Sequence, residues 1–127
     1  MADFRHIGFY VNDVNKGIDF YRALGFEDVY RALEEWAEFN PRDKIDVLKL
    51  KNDKGDIVEF IGNSVFSPAN VGVHAAYTIS DMGETYKALK ALGAVFFVEP
   101  RKSGDGKVMV AFCKDPYDFK IELVQEL

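Results

Sequence analysis

The sequence is poor in histidine and cysteine, and it lacks any long apolar or basic run. Its 127 residues include two histidines and one cysteine, Cys113, which excludes an internal disulfide. The apolar segment around Cys113 predicts a buried strand residue. No stretch approaches the roughly 18 apolar residues of a membrane span, and a net charge of −5 without basic clusters disfavours nucleic acid. With no signal-peptide pattern at its start, the chain is predicted to be cytoplasmic and to bind neither membrane nor nucleic acid.

The chain repeats itself at an offset of 68 residues. Four identical pairs share that offset: His6 with His74, Asp13 with Asp81, Leu24 with Leu92, and Gly25 with Gly93. Each half reads as a strand, a helix and three strands, and the 14% aromatic content favours sheets. We predict an α+β fold of two tandem βαβββ modules, residues 1–62 and 71–127. A linker at 63–70 joins them, and together they form one structural domain.

Hydrophobic periodicity and turn residues place the elements of each half. In the first half the pattern predicts a helix at 14–25 and strands at 4–11, 26–33, 45–51 and 57–62. In the second half it predicts a helix at 80–93, strands at 72–79, 94–99, 107–113 and 120–125, and a turn at 100–106. Residues 32–44 are ambiguous, and the pattern there fits a loop or a ragged strand end.

Both histidines lie in alternating segments, RHIGFYV and GVHAAYTI. Since strand side chains alternate between faces, His6 shares a face with Gly8, and His74 shares one with Ala76. The more apolar opposite face should carry the helix. Each histidine therefore lies beside a very small residue on the uncovered face, where a ligand has room to bind.

A glutamate interrupts the last apolar strand of each half, Glu59 in DIVEFIG and Glu122 in FKIELVQ. Glutamate is rarely buried unless it is paired or binds a metal. Taken singly, a strand histidine is usually structural and an edge-strand glutamate is usually solvated. Their equivalent places in a repeat favour a divalent metal site made of His6, Glu59, His74 and Glu122.

The segments RHIGFYVNDVNKGIDFYRALGF, GVHAAYTISDMGETYKALKALGA and KVMVAFCKDPYDFKIELVQ resemble the vicinal oxygen chelate superfamily of glyoxalases, bleomycin-resistance proteins and dioxygenases. The resemblance implies a curled mixed sheet around a metal cleft. The order His, Glu, His, Glu resembles the glyoxalase I, or lactoylglutathione lyase, branch. That branch implies proton transfer on a hemithioacetal through a metal-bound enediolate, which gives an S-2-hydroxyacyl thioester. An epimerase of the methylmalonyl-CoA type and a non-catalytic small-molecule binder are the alternatives.

The resemblance also implies roles for individual residues. Glu122 would act as the base, with Glu59 assisting on the opposite face. Tyr10 stands where an arginine often grips glutathione, and Asn63 matches an asparagine that usually follows the first glutamate. Two lysines beside the SGDG turn, Lys102 and Lys107, could meet a carboxylate or phosphate. The ligand is thus predicted to be a small thiol adduct or an acyl thioester.

The resemblance also bears on the metal and on assembly. Two imidazoles and two carboxylates suit nickel, cobalt, manganese, iron or zinc. The resemblance to short bacterial glyoxalases implies nickel or cobalt first. Only 15 positions separate Glu59 from His74, and short linkers in the family accompany modules that pair across a two-fold axis. We therefore predict a homodimer with its metal sites at the interface.

Overall fold

The computed structural model describes residues 4–65 and 74–127, and the chain divides into two compact units, Met1–Ala69 and Asn70–Leu127. Each unit contains one four-stranded mixed sheet with helical segments. The predicted strand and linker segments that fall on residues 66–73 lie outside the described part of the chain.

The first unit follows the predicted βαβββ order. Its elements are β1 (Ile7–Val11), a 3-10 turn (Val14–Gly17), α1 (Ile18–Ala23), β2 (Glu27–Glu34), β3 (Ile45–Lys51) and β4 (Ile57–Gly62). The strands are arranged β1-β4-β3-β2, with β1 parallel to β4 and the other neighbours antiparallel. The last strand of the module is therefore an inner strand, beside the first.

The second unit repeats this arrangement. Its elements are β5 (Ala75–Thr78), α2 (Met82–Ala91), β6 (Phe96–Lys102), β7 (Val108–Lys114) and β8 (Lys120–Glu126). The strand order is β5-β8-β7-β6, again with one parallel pair, β5 with β8. The predicted α+β fold of two βαβββ modules is confirmed. No helix in the described ranges is both long and apolar enough to cross a membrane.

The residues that recur at the 68-residue offset start and stop the helical segments. The Asp13 carboxylate accepts a hydrogen bond from the Asn15 amide at 3.0 Å, and Asp81 caps α2 through the Glu84 amide at 3.0 Å. Side-chain oxygens at these positions satisfy amides that have no partner within the helix. Gly25 and Gly93 end the helical segments with φ of 95° and 90°, values that favour glycine.

Three details differ from the sequence predictions. The first helix opens as a 3-10 turn before α1 begins at Ile18. Strand β6 runs through Pro100 to Lys102, where a turn was predicted; β6 is an edge strand, where proline is tolerated. Each histidine immediately precedes its strand instead of lying within it, because ladder pairing starts at the next residue.

Aromatic packing holds α1 against one face of the sheet in the first unit. The rings of Tyr21 and Phe60 are both fully buried and meet edge to face at 5.0 Å. Phe9 of β1 stacks on Phe60 at 5.9 Å, so the apolar face of β1 lies on the helix side of the sheet, as predicted. The opposite face carries Glu59, the glutamate of β4.

The second unit buries its only cysteine on the helix side of β7. Cys113 is fully buried, which confirms the sequence prediction. Burial and, to a lesser extent, the neighbouring Asp115 carboxylate raise the pKa of the Cys113 thiol to about 12. The folded chain thus keeps a proton that the unfolded chain loses near pH 9, so this group lowers stability as the pH rises from about 9 towards 12.

We expect the Cys113 thiol to resist Ellman's reagent at pH 8 in the folded protein, because the thiolate is the reactive form. The same thiol should react fully in urea, which serves as the control. Rapid reaction of the native protein, without loss of its circular dichroism spectrum, would contradict this account.

Candidate functional site

In the first unit, the structure brings His6 and Glu59 together. The His6 Nε2 and Glu59 Oε1 atoms lie 3.5 Å apart. Gly8 pairs with Glu59 across the parallel β1–β4 ladder, and a Cβ added to Gly8 would lie 3.4 Å from Glu59 Oε1. Glu59 is only 8% exposed, so its carboxylate depends on nearby polar groups. The missing side chain at Gly8 leaves space beside the oxygen that faces His6.

The second unit contains the equivalent pair. His74 Nε2 and Glu122 Oε1 lie 3.1 Å apart. Ala76 takes the place of Gly8, pairing with Glu122 in the β5–β8 ladder. The His74 ring meets Phe112 edge to face at 5.5 Å, and Phe112 pairs with Glu122 from the other side. The two predicted His–Glu pairs are therefore formed, one in each module.

Each pair offers one imidazole nitrogen and at least one carboxylate oxygen. Across residues 4–65 and 74–127, no group of three or more His, Cys, Asp or Glu side chains forms a metal-binding cluster. A module considered by itself supplies half of the predicted ligand set.

The sequence analysis did not predict a role for Lys49, which lies on the same face of the first unit as Glu59. Lys49 pairs with Glu59 across the β3–β4 ladder, and its Nζ lies 3.7 Å from Glu59 Oε2. The ammonium also lies 5.2 Å from the centre of the Tyr30 ring. A signal was present in the sequence: the turn at 52–56 pairs residue 51 with 57, and so 49 with 59.

Tyr10 lies at the aromatic edge of the same face. It alternates with Gly8 on β1, is 37% exposed, and its ring lies 5.8 Å from Phe39. Phe39 packs on three buried residues of this face, Ile45, Val47 and Ile61, and lies 5.5 Å from the Trp36 ring. The ambiguous loop thus places an aromatic cluster on the first unit.

Asn63 has a structural task in the first unit. Its φ of 61° is left-handed, and its amide nitrogen donates to the Lys44 carbonyl at 2.9 Å and to Asp43 at 3.3 Å. The Asn40 amide donates in turn to the Asn63 carbonyl at 2.8 Å. These bonds tie the loop before β3 to the end of β4.

The two predicted lysines lie at the β6–β7 hairpin and are exposed. Lys102 pairs with Met109, which pairs with Gln125, and Gln125 accepts a hydrogen bond from the α2 amide of Met82. The register therefore places Lys102 on the helix side of the sheet. Arg101, one residue earlier, pairs with Val110 on the face of Glu122.

Lys107 lies in the turn itself, where its backbone amide donates to Asp105. The proposed contact of its side chain with a carboxylate or phosphate stays a prediction.

The chain belongs to the glyoxalase/bleomycin resistance protein/dioxygenase superfamily, whose family model matches residues 3–123. This confirms the resemblance seen in the sequence. A probable lactoylglutathione lyase from Vibrio cholerae is 28% identical over 121 residues, which cover 91% of this chain and 84% of that protein.

Solved structures agree on the fold. A glyoxalase family protein from Bacillus cereus superposes with a TM-score of 0.85 at 15% identity, covering 100% of this chain and 95% of the other. The fosfomycin resistance protein FosX from Listeria monocytogenes, solved with Mn(II) and sulfate, gives a TM-score of 0.72 at 18% identity, covering 100% and 94%.

Substitution of Asn63 separates its structural task from the predicted contact with substrate. Asn63→Gly keeps the left-handed backbone but loses both side-chain bonds, and it should destabilise the protein by about 1 kcal/mol. Asn63→Ala adds backbone strain and should cost about 1 kcal/mol more. Urea unfolding measures both. An Asn63→Gly variant with wild-type stability and a raised KM would instead identify a substrate contact.

Proposed function

We propose that the protein is a metal-dependent lyase of the glyoxalase I type, which converts a hemithioacetal into an S-2-hydroxyacyl thioester. The observation that supports this most directly is the His–Glu contact, which occurs at equivalent places in both modules. Membership of the superfamily and the lactoylglutathione lyase relative favour the same chemistry.

The donor atoms fit a divalent cation. Neighbouring ligands on an ion with bond lengths near 2.1 Å lie about 3 Å apart, and the His–Glu separations are 3.5 and 3.1 Å. The mixed nitrogen and oxygen set suits nickel, cobalt, zinc, manganese or iron, and we propose nickel or cobalt first because of the resemblance to short bacterial glyoxalases. FosX, a relative in fold, was solved with Mn(II).

Two ligands leave a cation poorly held, so we propose that the two kinds of pair act together. The four ligands are His6, Glu59, His74 and Glu122. We further propose that a homodimer supplies them, with the first pair from one subunit and the second from its partner.

A cation bound there would supply Lewis acidity to the vicinal oxygens of the substrate. The protein's own work is the movement of protons. Glu122 takes the proton from the carbon that carries sulfur and hydroxyl, and it returns that proton to the neighbouring carbonyl carbon. The hydroxyl proton moves to the former carbonyl oxygen, so the first carbon becomes the thioester carbonyl and the second carries the new hydroxyl. No oxidant or reductant is needed, because the reaction is an internal redistribution of hydrogen. Glu122 is partly exposed, with a side-chain exposure of 21%, so its carboxylate is open to a ligand.

The aromatic cluster on the first unit is proposed to receive the rest of the substrate. Tyr10 offers one hydroxyl and no positive charge, so the thiol carrier need not be glutathione. We propose Tyr10 as the contact for this carrier. The secondary candidates are Lys102, Lys107 and Asn63. Lys102 lies on the helix side of its sheet, and the Asn63 amide is bonded to the loop before β3.

The central test combines metal analysis with one substitution. Purified protein should bind a divalent cation and convert methylglyoxal hemithioacetals, with a panel of thiols identifying the carrier. Glu122→Gln should lower turnover by about 10²- to 10⁴-fold, because the proton acceptor is lost. Glu126→Gln, at the exposed end of the same strand, is the matched control. The proposal is refuted if Glu122→Gln keeps full turnover, or if none of nickel, cobalt, zinc, manganese and iron activates the protein. Conversion of methylmalonyl-CoA in place of the hemithioacetal would indicate an epimerase.

A second test concerns the space at Gly8. Gly8→Ala should be tolerated, because alanine already occupies the equivalent Ala76 position beside Glu122. Gly8→Leu would crowd Glu59 Oε1 and should weaken nickel binding, measured by calorimetric titration. Equal nickel affinity in the two variants would show that this oxygen does not face the cation.

A further inference from the structure

The two glutamates of the proposed site have different surroundings on their own sheets. In the first unit, Glu59 pairs with Lys49 of the antiparallel strand β3. In the second unit, Glu122 pairs with Phe112 of the antiparallel strand β7. The duplication therefore preserves both His–Glu pairs but places a cation beside one carboxylate and an aromatic ring beside the other.

The two oxygens of the Glu59 carboxylate face different groups. Its Nζ lies 3.7 Å from Oε2, whereas Oε1 faces His6 at 3.5 Å and the open space at Gly8. The Lys49 side chain is 30% exposed, and its ammonium also lies 5.2 Å from the centre of the Tyr30 ring. The carboxylate and the ring together hold the ammonium on the Glu59 face of the inner strand β3.

Glu122 has no equivalent cation. Within the described ranges, no lysine or arginine lies within ion-pair distance of its carboxylate, and His74 Nε2 approaches most closely at Oε1, at 3.1 Å. One oxygen of Glu122 can therefore face a substrate while the other stays with its histidine. Glu59 has no such oxygen, since each of its two is directed at a different basic side chain.

We propose that Lys49 is a positioning residue that makes Glu59 a one-oxygen ligand and leaves Glu122 as the only proton acceptor. This inference rests on the proposed function and makes it more specific, because the resemblance alone assigns Glu59 an assisting role in the proton transfer. The positive charge of Lys49 also opposes a cation bound at Oε1, which lowers the affinity of the site for metal.

Nickel titration of the full chain by calorimetry tests the inference independently of turnover. Lys49→Met should bind Ni²⁺ about tenfold more tightly than the wild type, because a nearby positive charge is removed. Lys49→Arg keeps the charge and should match the wild type. Lys51→Met, an exposed lysine two residues along the same strand, is the matched control and should also match it. Lys49→Gln is a second neutral variant, used if Lys49→Met fails to fold by circular dichroism.

Turnover supplies the second measurement. A double variant that combines Glu122→Gln with Lys49→Met should have a kcat at least about tenfold above that of Glu122→Gln alone, since Glu59 Oε2 is released to accept the proton. A double variant that combines Glu122→Gln with Lys51→Met should have the same kcat as Glu122→Gln alone. The inference is overturned if the two double variants have equal kcat, or if Lys49→Met binds nickel more weakly than the wild type.

The outcomes separate this inference from the proposed function. If the wild type binds Ni²⁺ and the two lysine variants bind it equally, the role of Lys49 alone fails. If the wild type binds no divalent cation, the proposed function fails, and the inference fails with it. If nickel binds but no hemithioacetal is converted, the nickel titration alone decides the role of Lys49.

Discussion

The first module is built around a carboxylate on an inner strand, Glu59. Glu59 is 8% exposed, and burying a negative charge without partners is strongly unfavourable. The ladders of β4 with β1 and β3 bring Gly8 to one side of it and Lys49 to the other. A slip of one residue in either ladder would turn these groups to the helix face. The aromatic core of Tyr21 and Phe60 prevents such a slip, because it needs the apolar face towards α1.

The second module shows which parts of this arrangement are tied to the fold and which are free to vary. The capped helix, the strand order and the His–Glu pair recur. The neighbour of the glutamate does not, since Phe112 replaces a lysine. Helix caps and ladders serve the backbone, so both modules need them, whereas the residue beside the carboxylate affects only the chemistry of its own face. The duplicated fold can therefore carry two different glutamates.

Most strands and helices, and the pairing of one histidine with one glutamate in each module, could be predicted from local pattern. Period-two alternation identified the strands, and the recurrence of His6 with His74 identified the modules. Pro100 misled, because proline predicts a turn unless the strand lies at the edge of a sheet, and strand order is a tertiary property. The face that Lys102 occupies could not be predicted either, because the irregular pairing along β6 sets it: Lys102 lies on the helix side, and its neighbour Arg101 lies on the face of Glu122.

The sequence by itself determined the two βαβββ modules and the His–Glu pair within each, since these depend on periodicity and on a repeat that is visible in the letters. The family was indicated by the resemblance of whole segments to the superfamily, which the family model confirms. Only the tertiary structure decided which side chains surround the carboxylates. Lys49 is ten residues from Glu59 and the hairpin register pairs them, but only the structure shows the Lys49 Nζ 3.7 Å from Glu59 Oε2 and over the Tyr30 ring. The resemblance assigned Asn63 to the substrate, and only the structure shows its amide bonded to the loop before β3. Such contacts depend on side-chain conformation and on strand packing, which local pattern does not specify.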